Sequence, residues 1–215
     1  MKISKETSYK VAEYLLQIKA VKLNTQKPFQ WSSGLLSPIY CDNRVILSYP
    51  SLRTYIRQQF VDTINEHFGN PDVIAGVATG GIAHGVLVAQ ELGLPFVYVR
   101  PEAKQHGLSN AIEGHVEKGQ SVIVIEDLIS TGGSSLKVIQ HLKDAGCTIK
   151  GMISIFTYNL PVAAENFKKN KLQVLSLSNF DDLIKVALEK EYISDAEYQE
   201  LLEWKKDPEN WKNKK

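Results

Sequence analysis

Short apolar runs alternate with helical patterns along the chain from about residue 72 onward. The apolar runs cover residues 73–78, 96–99, 121–126, 149–156 and 172–177. Two of the intervening helical patterns are followed by glycines that can end a helix, Gly93 and Gly146. Alternation of this kind is typical of a parallel sheet with helices on both faces, whose strands are apolar throughout because both sides are buried. The pattern therefore predicts an α/β fold.

The first 47 residues follow a different pattern. Val11, Leu15 and Ile18 share one helix face, and residues 29–47 resemble short strands interrupted by serine, glycine and proline. Pro50 then begins a helix with apolar residues at i+4 spacing, and amphipathic helices follow residue 181. We expect a single domain of residues 1–215, in which residues 1–47 form a small N-terminal hood and residues 48–215 form the α/β core with its C-terminal helices.

Composition narrows the range of partners and compartments. The 215 residues include 25 lysines and arginines against 24 aspartates and glutamates, whereas a dedicated nucleic-acid binder usually has a strong basic excess. Cys41 and Cys147 lack the spacing of a metal site, and two reduced thiols are the expected state. Neither a signal core nor a membrane-length apolar stretch is visible in the sequence. We expect a cytoplasmic protein without nucleic-acid or membrane partners.

The most informative segment runs from Val122 to Leu136, VIVIEDLISTGGSSL, and joins a buried strand to a helix. Its glycines let backbone N–H groups converge, and the helix N-terminus adds positive partial charge, so the loop suits a phosphate monoester. Glu126 and Asp127 would repel a phosphate but accept hydrogen bonds from a diol, and a ribose 5-phosphate carries both groups. The alternative is a strand that ends in exposed acids before an ordinary Ser/Thr N-cap. The continuous strand and helix on either side disfavour it.

This segment resembles the phosphoribosyl-diphosphate signature of type I phosphoribosyltransferases. The resemblance implies that Glu126 and Asp127 hold the ribose 2- and 3-hydroxyls and that Ser130 to Ser134 wrap the 5-phosphate. A second strand-turn-helix segment, Ala78 to Ile82, would line the diphosphate. An ordinary turn without a binding role is a serious alternative for this segment. Some relatives carry a lysine at the position where this chain has Gly80. The implied donor-binding residues are Glu126, Asp127, Leu128, Ile129, Ser130, Thr131, Gly132, Gly133, Ser134, Thr79 and Gly80.

Residues 100–114 form a connection of about fifteen residues, and loops of that length are often lids. Arg100, Lys104 and His106 could meet a diphosphate there, although a polar loop without a function is the alternative. The segment resembles the mobile catalytic loop of orotate phosphoribosyltransferases. The resemblance implies that Lys104 is the main catalytic cation, that Arg100 and His106 contact the diphosphate, and that the loop acts in the partner subunit of a homodimer. Pro101 stands where some relatives have a further lysine.

Residues 29–44 resemble the N-terminal, orotate-side pattern of the same family. Backbone around Ser32, Ser33 and Gly34 would read the pyrimidine, with Ser130 as a further orotate contact. Arg44 could face the orotate carboxylate, and a structural ion pair is about equally plausible. Some relatives have a lysine at Ser32, which leaves open which group reads the orotate.

The resemblance implies transfer of the 5-phosphoribosyl group from 5-phosphoribosyl 1-diphosphate to orotate. Mg²⁺ is the implied cofactor, carried by the diphosphate and the ribose hydroxyls, and we assign it no protein ligand. Since all three core segments follow strands, they should emerge at one edge of the sheet. Two alternatives stay open: a purine phosphoribosyltransferase and a non-enzymatic regulator that senses phosphoribosyl diphosphate.

Overall fold

The computed structural model describes residues 2–31, 34–102 and 111–211. Its elements in chain order are α1 (Lys5–Gln17), β1 (Val21–Leu23), β2 (Phe29–Gln30), β3 (Leu36–Ser37), β4 (Ile39–Cys41), a 3-10 helix (Asn43–Ser48), α2 (Pro50–His67), β5 (Val73–Val77), α3 (Gly80–Leu92), β6 (Phe96–Val99), β7 (Ile112–Glu113), β8 (Ser121–Ile129), α4 (Gly133–Asp144), β9 (Thr148–Thr157), α5 (Pro161–Lys169), β10 (Val174–Asn179), α6 (Phe180–Glu189) and α7 (Asp195–Lys206). All five predicted apolar runs are strands, and Pro50 begins α2 as predicted.

Six strands form the central sheet in the order β10-β9-β8-β5-β6-β7. Strands β10 to β6 in this order pair in parallel. The β7 edge departs from the predicted pattern because β7 runs antiparallel to β6, with Val99 opposite Ile112. Residues 100–114 are therefore not loop throughout: the chain leaves β6 and returns along its open edge, where Ile112 and Glu113 gain backbone partners.

The sheet is buried on both faces, as predicted. Along β8, Ile123 and Ile125 belong to the apolar cluster on one face, and Val122 and Val124 belong to the cluster on the other. Helices α1, α2, α3, α6 and α7 contribute to the first cluster, and α4 and α5 contribute to the second. Within the ranges that the structure describes, none of the helices combines the length and apolar character needed to cross a bilayer.

The short N-terminal strands form two small antiparallel pairs, β1 with β4 and β2 with β3. An aromatic cluster joins them to the core: the ring centroid of Trp31 lies 4.7 Å from that of Tyr158 and 5.8 Å from that of Trp204. Helix α1 instead packs against β10 and α6. The predicted division of the domain at residue 47 stays a prediction.

Candidate active site

Three of the predicted segments lie at the carboxyl ends of adjacent strands. The central strands β6, β5 and β8 are neighbours in that order, and they end at Val99, Val77 and Ile129. The turn after β5 is tied to β6, since the amide of Ala78 donates to the Val99 carbonyl at 2.9 Å. This is the edge at which open α/β sheets bind ligands.

The donor segment differs from its prediction in one respect: β8 continues through Ile129 rather than ending at Glu126. Its pairing with β9 runs on through Leu128 opposite Phe156 and Ile129 opposite Thr157. Glu126, Asp127, Leu128 and Ile129 are therefore strand residues, and the loop proper is short because α4 begins at Gly133.

The loop after β8 is shaped by glycine and supported by α5. Gly132 has φ +79°, and a Cβ there would lie 2.5 Å from Cζ of Phe167. The side-chain amide of Asn166 donates to the Thr131 carbonyl at 3.2 Å. Only glycine fits this conformation without strain. Thr131, Gly133 and Ser134 are exposed and Ser130 is half-buried, so the loop is open to a ligand at the N-terminus of α4.

The two adjacent carboxylates have different surroundings. Glu126 is 5% exposed, and its oxygens accept hydrogen bonds from the Asp127 amide at 3.0 Å and from Ser135 Oγ at 2.9 Å. Burial, followed by the neighbouring charge of Asp127, raises the pKa of Glu126 well above its usual value. Asp127 is half-buried. Its carboxylate is therefore the more accessible of the two to a sugar diol, while Glu126 braces the backbone beside it.

The turn Thr79–Gly80 lies directly against this carboxylate. A Cβ on Gly80 would overlap the carboxyl group of Asp127, and one on Gly81 would overlap the Ile125 carbonyl. A lysine at position 80 would therefore require Asp127 to move, which gives a physical reason for glycine here. Thr79 is exposed and Gly80 is half-buried.

The described part of the lid is its base, which is attached on two sides. Nε of Arg100 lies 3.5 Å from a carboxylate oxygen of Glu113 in β7. Glu102 forms an ion pair with Lys137 of α4, the helix that begins at the donor loop. Arg100 is thus placed at the sheet edge. Lys104 and His106 lie outside the described residues.

On the acceptor side, Ser32 and Ser33 lie outside the described residues. Gly34 has φ +88°, and its amide donates to the Trp31 carbonyl at 2.8 Å in the turn between β2 and β3. The guanidinium of Arg44 binds both carboxylate oxygens of Asp42, at 2.7 and 2.8 Å. This hydrogen-bonded pair lowers the pKa of Asp42. The ion pair foreseen as an alternative for Arg44 is therefore present, and an orotate carboxylate would have to compete with Asp42.

Two buried residues near the site were not identified from the sequence. Asn43 is fully buried and donates from Nδ2 to the Asp127 carbonyl at 2.6 Å. His84 of α3 is 2% exposed, and burial lowers its pKa from 6.5 to about 4, against the opposing charge of Asp127. The position of His84 one helical turn after Gly80 was the available signal for it. The sequence carries no such signal for Asn43.

The described side chains offer no ready-made metal cage. Across residues 2–31, 34–102 and 111–211, no group of three or more His, Cys, Asp or Glu side chains is arranged to hold a metal ion. A donor-borne Mg²⁺ still fits this edge, because Mg²⁺ commonly keeps its waters and binds substrate phosphates with one or two carboxylates. Asp127 offers such a carboxylate.

Comparison with known proteins agrees with this arrangement. A family model described as "Phosphoribosyl transferase domain" matches residues 50–187. The orotate phosphoribosyltransferase of Phocaeicola vulgatus is 52% identical over 200 residues, which cover 93% of this chain and 94% of that protein. The orotate phosphoribosyltransferase of Cytophaga hutchinsonii is 50% identical, covering 94% of this chain and 97% of that protein.

The same name appears among solved structures. The crystal structure of orotate phosphoribosyltransferase from Aeropyrum pernix superposes with a TM-score of 0.73 at 27% identity, covering 86% of this chain and 99% of that chain. Its likeness extends beyond residues 50–187, the range that the domain model matches. Half of the aligned residues are identical to those of full-length relatives, and the sheet edge carries the donor loop. The chain therefore belongs to the orotate phosphoribosyltransferase family.

Proposed function

We propose that this chain transfers the 5-phosphoribosyl group from 5-phosphoribosyl 1-diphosphate to orotate, giving orotidine 5-phosphate and diphosphate in pyrimidine (UMP) synthesis. The observation that carries the proposal is the juxtaposition of Asp127 with an exposed glycine-rich loop at the N-terminus of α4. A diol acceptor and a phosphate cradle therefore stand side by side. The identity to named relatives over 94% of their length supports orotate as the acceptor.

The donor binds in two parts. Backbone N–H groups of Thr131, Gly132 and Gly133 and the hydroxyl of Ser134 receive the 5-phosphate, favoured by the positive end of α4. Asp127 accepts hydrogen bonds from the ribose hydroxyls, with Glu126 beside it. The turn Thr79–Gly80 lines the diphosphate, and Leu128 and Ile129 form the floor between these groups.

The reaction exchanges one bond at C1 of the ribose for another. The C1–O bond to diphosphate breaks with its electron pair on the leaving oxygen. A ring nitrogen of orotate forms the new bond and gives up its N–H proton, which leaves with the diphosphate or passes to water. Positive charge develops on the ribose and negative charge on the diphosphate, so fixed cations stabilise the transition state. Lys104, with Arg100 and His106, supplies those cations, and lid closure excludes water that would otherwise hydrolyse the donor. Bound Mg²⁺ supplies further neutralisation of the diphosphate charge.

The hood supplies the acceptor side. Backbone at Ser32, Ser33 and Gly34 reads the pyrimidine, and Ser130 reaches it from the donor loop. Arg44 binds the orotate carboxylate in place of the Asp42 carboxylate, which it releases. We further propose a homodimer in which the lid of one subunit closes over the site of its partner. The buried free thiols of Cys41 and Cys147 fit a reducing cytoplasm.

An assay of base-dependent diphosphate release tests the function. We expect release with orotate, dependent on 5-phosphoribosyl 1-diphosphate and Mg²⁺, and little with hypoxanthine, guanine or xanthine. A double variant, Glu126→Gln with Asp127→Asn, is the negative control. Faster release with a purine would move the chain to the purine class, and donor binding without release with any base would favour a regulator.

A further inference from the structure

One buried side chain of the hood is bonded to the strand that carries the ribose-side carboxylate. Nδ2 of Asn43 donates to the Asp127 carbonyl at 2.6 Å, across 84 residues of sequence. The thiol of Cys41 donates to Oδ1 of Asn43 at 3.2 Å, which fixes the orientation of the amide. Asn43 is fully buried and Cys41 is 7% exposed. The contact therefore lies inside the protein, where a hydrogen bond is strengthened by the low dielectric.

The sheet explains why a hood residue occupies this position. Pairing between β5 and β8 ends at Gly76 opposite Ile125, two residues before Asp127. Beyond that point Asn43, and not a residue of β5, donates to the Asp127 carbonyl. The amide of Asp127 is bonded to the side chain of Glu126 at 3.0 Å. Both backbone polar groups of Asp127 are thus held by side chains, and one of these comes from the hood.

Asn43 is itself held firmly within the hood. It is the first residue of the 3-10 helix, and Asp42 alone separates it from β4. The amide of Asp42 donates to the Ala20 carbonyl at 2.8 Å. Burial, followed by the charges of Asp127 and Asp42, raises the pKa of the Cys41 thiol well above its usual value. The thiol therefore stays protonated and keeps its hydrogen bond to Asn43. Asn43 therefore lies between β4, through its hydrogen bond with Cys41, and the Asp127 carbonyl.

We propose that Asn43 is a positioning residue that couples the two substrate sides: orotate bound at the hood acts on β4 and the 3-10 helix that hold Asn43, and the hydrogen bond from Asn43 passes this effect to the backbone that presents Asp127 to the ribose diol. The inference rests on the proposed function, because it takes the hood as the acceptor side. Coupling between sites is reciprocal, so ribose binding must strengthen orotate binding by the same factor. A residue that only stabilised the fold would leave this factor unchanged.

Calorimetric titration of an unreactive pair measures the coupling. Ribose 5-phosphate carries the diol and the 5-phosphate without a leaving group, so its dissociation constant can be measured with and without saturating orotate. We expect saturating orotate to lower the dissociation constant of ribose 5-phosphate for wild-type protein by at least about fivefold. In Asn43→Leu, which keeps the branched shape of the side chain and removes the donor, the factor should fall below about twofold, which is less than typical coupling between sites.

Asn24→Leu is the matched control. Asn24 also lies in the hood, but among the residues that the structure describes its side chain accepts a hydrogen bond only from the local Lys27 amide, at 2.8 Å. Its coupling factor should equal that of wild type. Asn43→Ala, measured in the same way, provides a second test if Asn43→Leu does not fold, and thermal melting establishes that each variant is folded.

The outcomes separate the inference from the proposed function. An unchanged coupling factor in a folded Asn43 variant overturns the inference. So does the absence of coupling in wild-type protein that converts orotate to orotidine 5-phosphate. Failure of wild-type protein to bind or convert orotate overturns the proposed function instead, and the inference falls with it.

Discussion

The indole Nε1 of Trp204 donates a hydrogen bond to the Leu36 carbonyl at 3.2 Å. Trp204 is fully buried on α7, and Leu36 begins β3 of the hood. Both residues lie outside residues 50–187, the range matched by the phosphoribosyl transferase domain. Helix α7 and the hood therefore stabilise each other outside the range that the domain model matches. A change at their contact should weaken orotate binding more than donor binding.

Trp204→Phe tests whether the contact between α7 and the hood acts mainly on orotate binding. Phenylalanine keeps most of the aromatic packing with Trp31 and removes the hydrogen bond, whose net contribution is about 1 kcal/mol. We expect the KM for orotate to rise about fivefold, the equivalent of that energy, with the KM for the donor changed less than about twofold on the same scale. Steady-state kinetics with each substrate varied in turn measures both. Tyr192→Phe, at a half-exposed position, is the control, and equal rises in the two KM values would contradict the prediction.

Gly132→Ala should damage the donor loop through two effects, backbone strain at φ +79° and overlap with Phe167. Gly119→Ala is a matched control, because Gly119 has φ +95° and nothing within 4 Å of an added Cβ. Both variants should lose roughly 1–2 kcal/mol of unfolding free energy from the left-handed conformation. Only Gly132→Ala should weaken donor binding. We expect the dissociation constant of the donor to rise about tenfold or more, because the loop that holds the phosphate is displaced.

A second substitution identifies the source of the Gly132 effect. Phe167→Leu opens space beside the loop, so Gly132→Ala combined with Phe167→Leu should recover part of the donor affinity lost in the single variant. Calorimetric titration with the donor, and urea unfolding for stability, provide the two readouts. Additive losses in the double variant would mean that the ring is not the obstacle.

The strands and the loop between β8 and α4 could be predicted because their signals are local. A continuous apolar run, two acids and a glycine pair fall within fifteen consecutive residues, 122–136. The length of β8 could not, because Asp127, and to a lesser degree Glu126, are poor strand formers that interrupt the apolar run. They are extended only because β9 runs alongside them as far as Thr157. Tertiary pairing overrode local propensity.

The polar contacts of the hood were still harder to predict from the sequence. Arg44 faces either a ligand or Asp42 according to side-chain geometry, which the spacing of two residues does not determine. Asn43 is one polar residue among several, and its partner Asp127 is distant in sequence. Its role follows from where β5 stops, a property of the assembled sheet that no local pattern records.

His84 should make stability depend on pH. Its pKa is about 4 in the folded protein and 6.5 ordinarily, so the unfolded chain binds a proton first as the pH falls. Stability from keeping this histidine neutral is complete above pH 6.5 and is lost progressively down to about pH 4, a total of about 3 kcal/mol. Replacement by leucine removes this loss. Between pH 7 and 4.5 the unfolding free energy of His84→Leu should fall less than that of wild type.

Urea unfolding at a series of pH values measures the difference. His115→Leu is the control, because the side chain of His115 is 85% exposed and lies 3.7 Å from Glu117 at the surface, where an ion pair contributes little to stability. The unfolding free energy of this variant should change with pH about as that of wild type does. The charged groups that act on His84 are Asp127 and Arg53. A difference between His84→Leu and wild type that is constant across the pH range would contradict the assignment.

Lys104 is the only lysine in the sequence of the lid, residues 100–114. Lys104→Ala should lower the maximal rate by roughly two or more orders of magnitude, the scale for losing one preorganised electrostatic group. Donor binding should suffer less because the loop after β8 remains intact. Single-turnover kinetics and donor titration separate the two effects. An unchanged maximal rate together with weaker donor binding would mean that Lys104 binds the donor and does not act in catalysis.

Whether the lid serves its own subunit or its partner can be decided by mixing two inactive variants. Lys104→Ala has a sound ribose site and a dead lid, whereas Glu126→Gln with Asp127→Asn has the reverse. If the lid crosses the interface, one site of a mixed dimer combines the sound lid with the sound ribose site, and orotidine 5-phosphate formation returns. If the lid acts within its own subunit, each site keeps one defect. Subunit exchange is confirmed independently by native mass spectrometry of differently tagged chains, so that exchange without recovered activity shows a lid that closes over its own site.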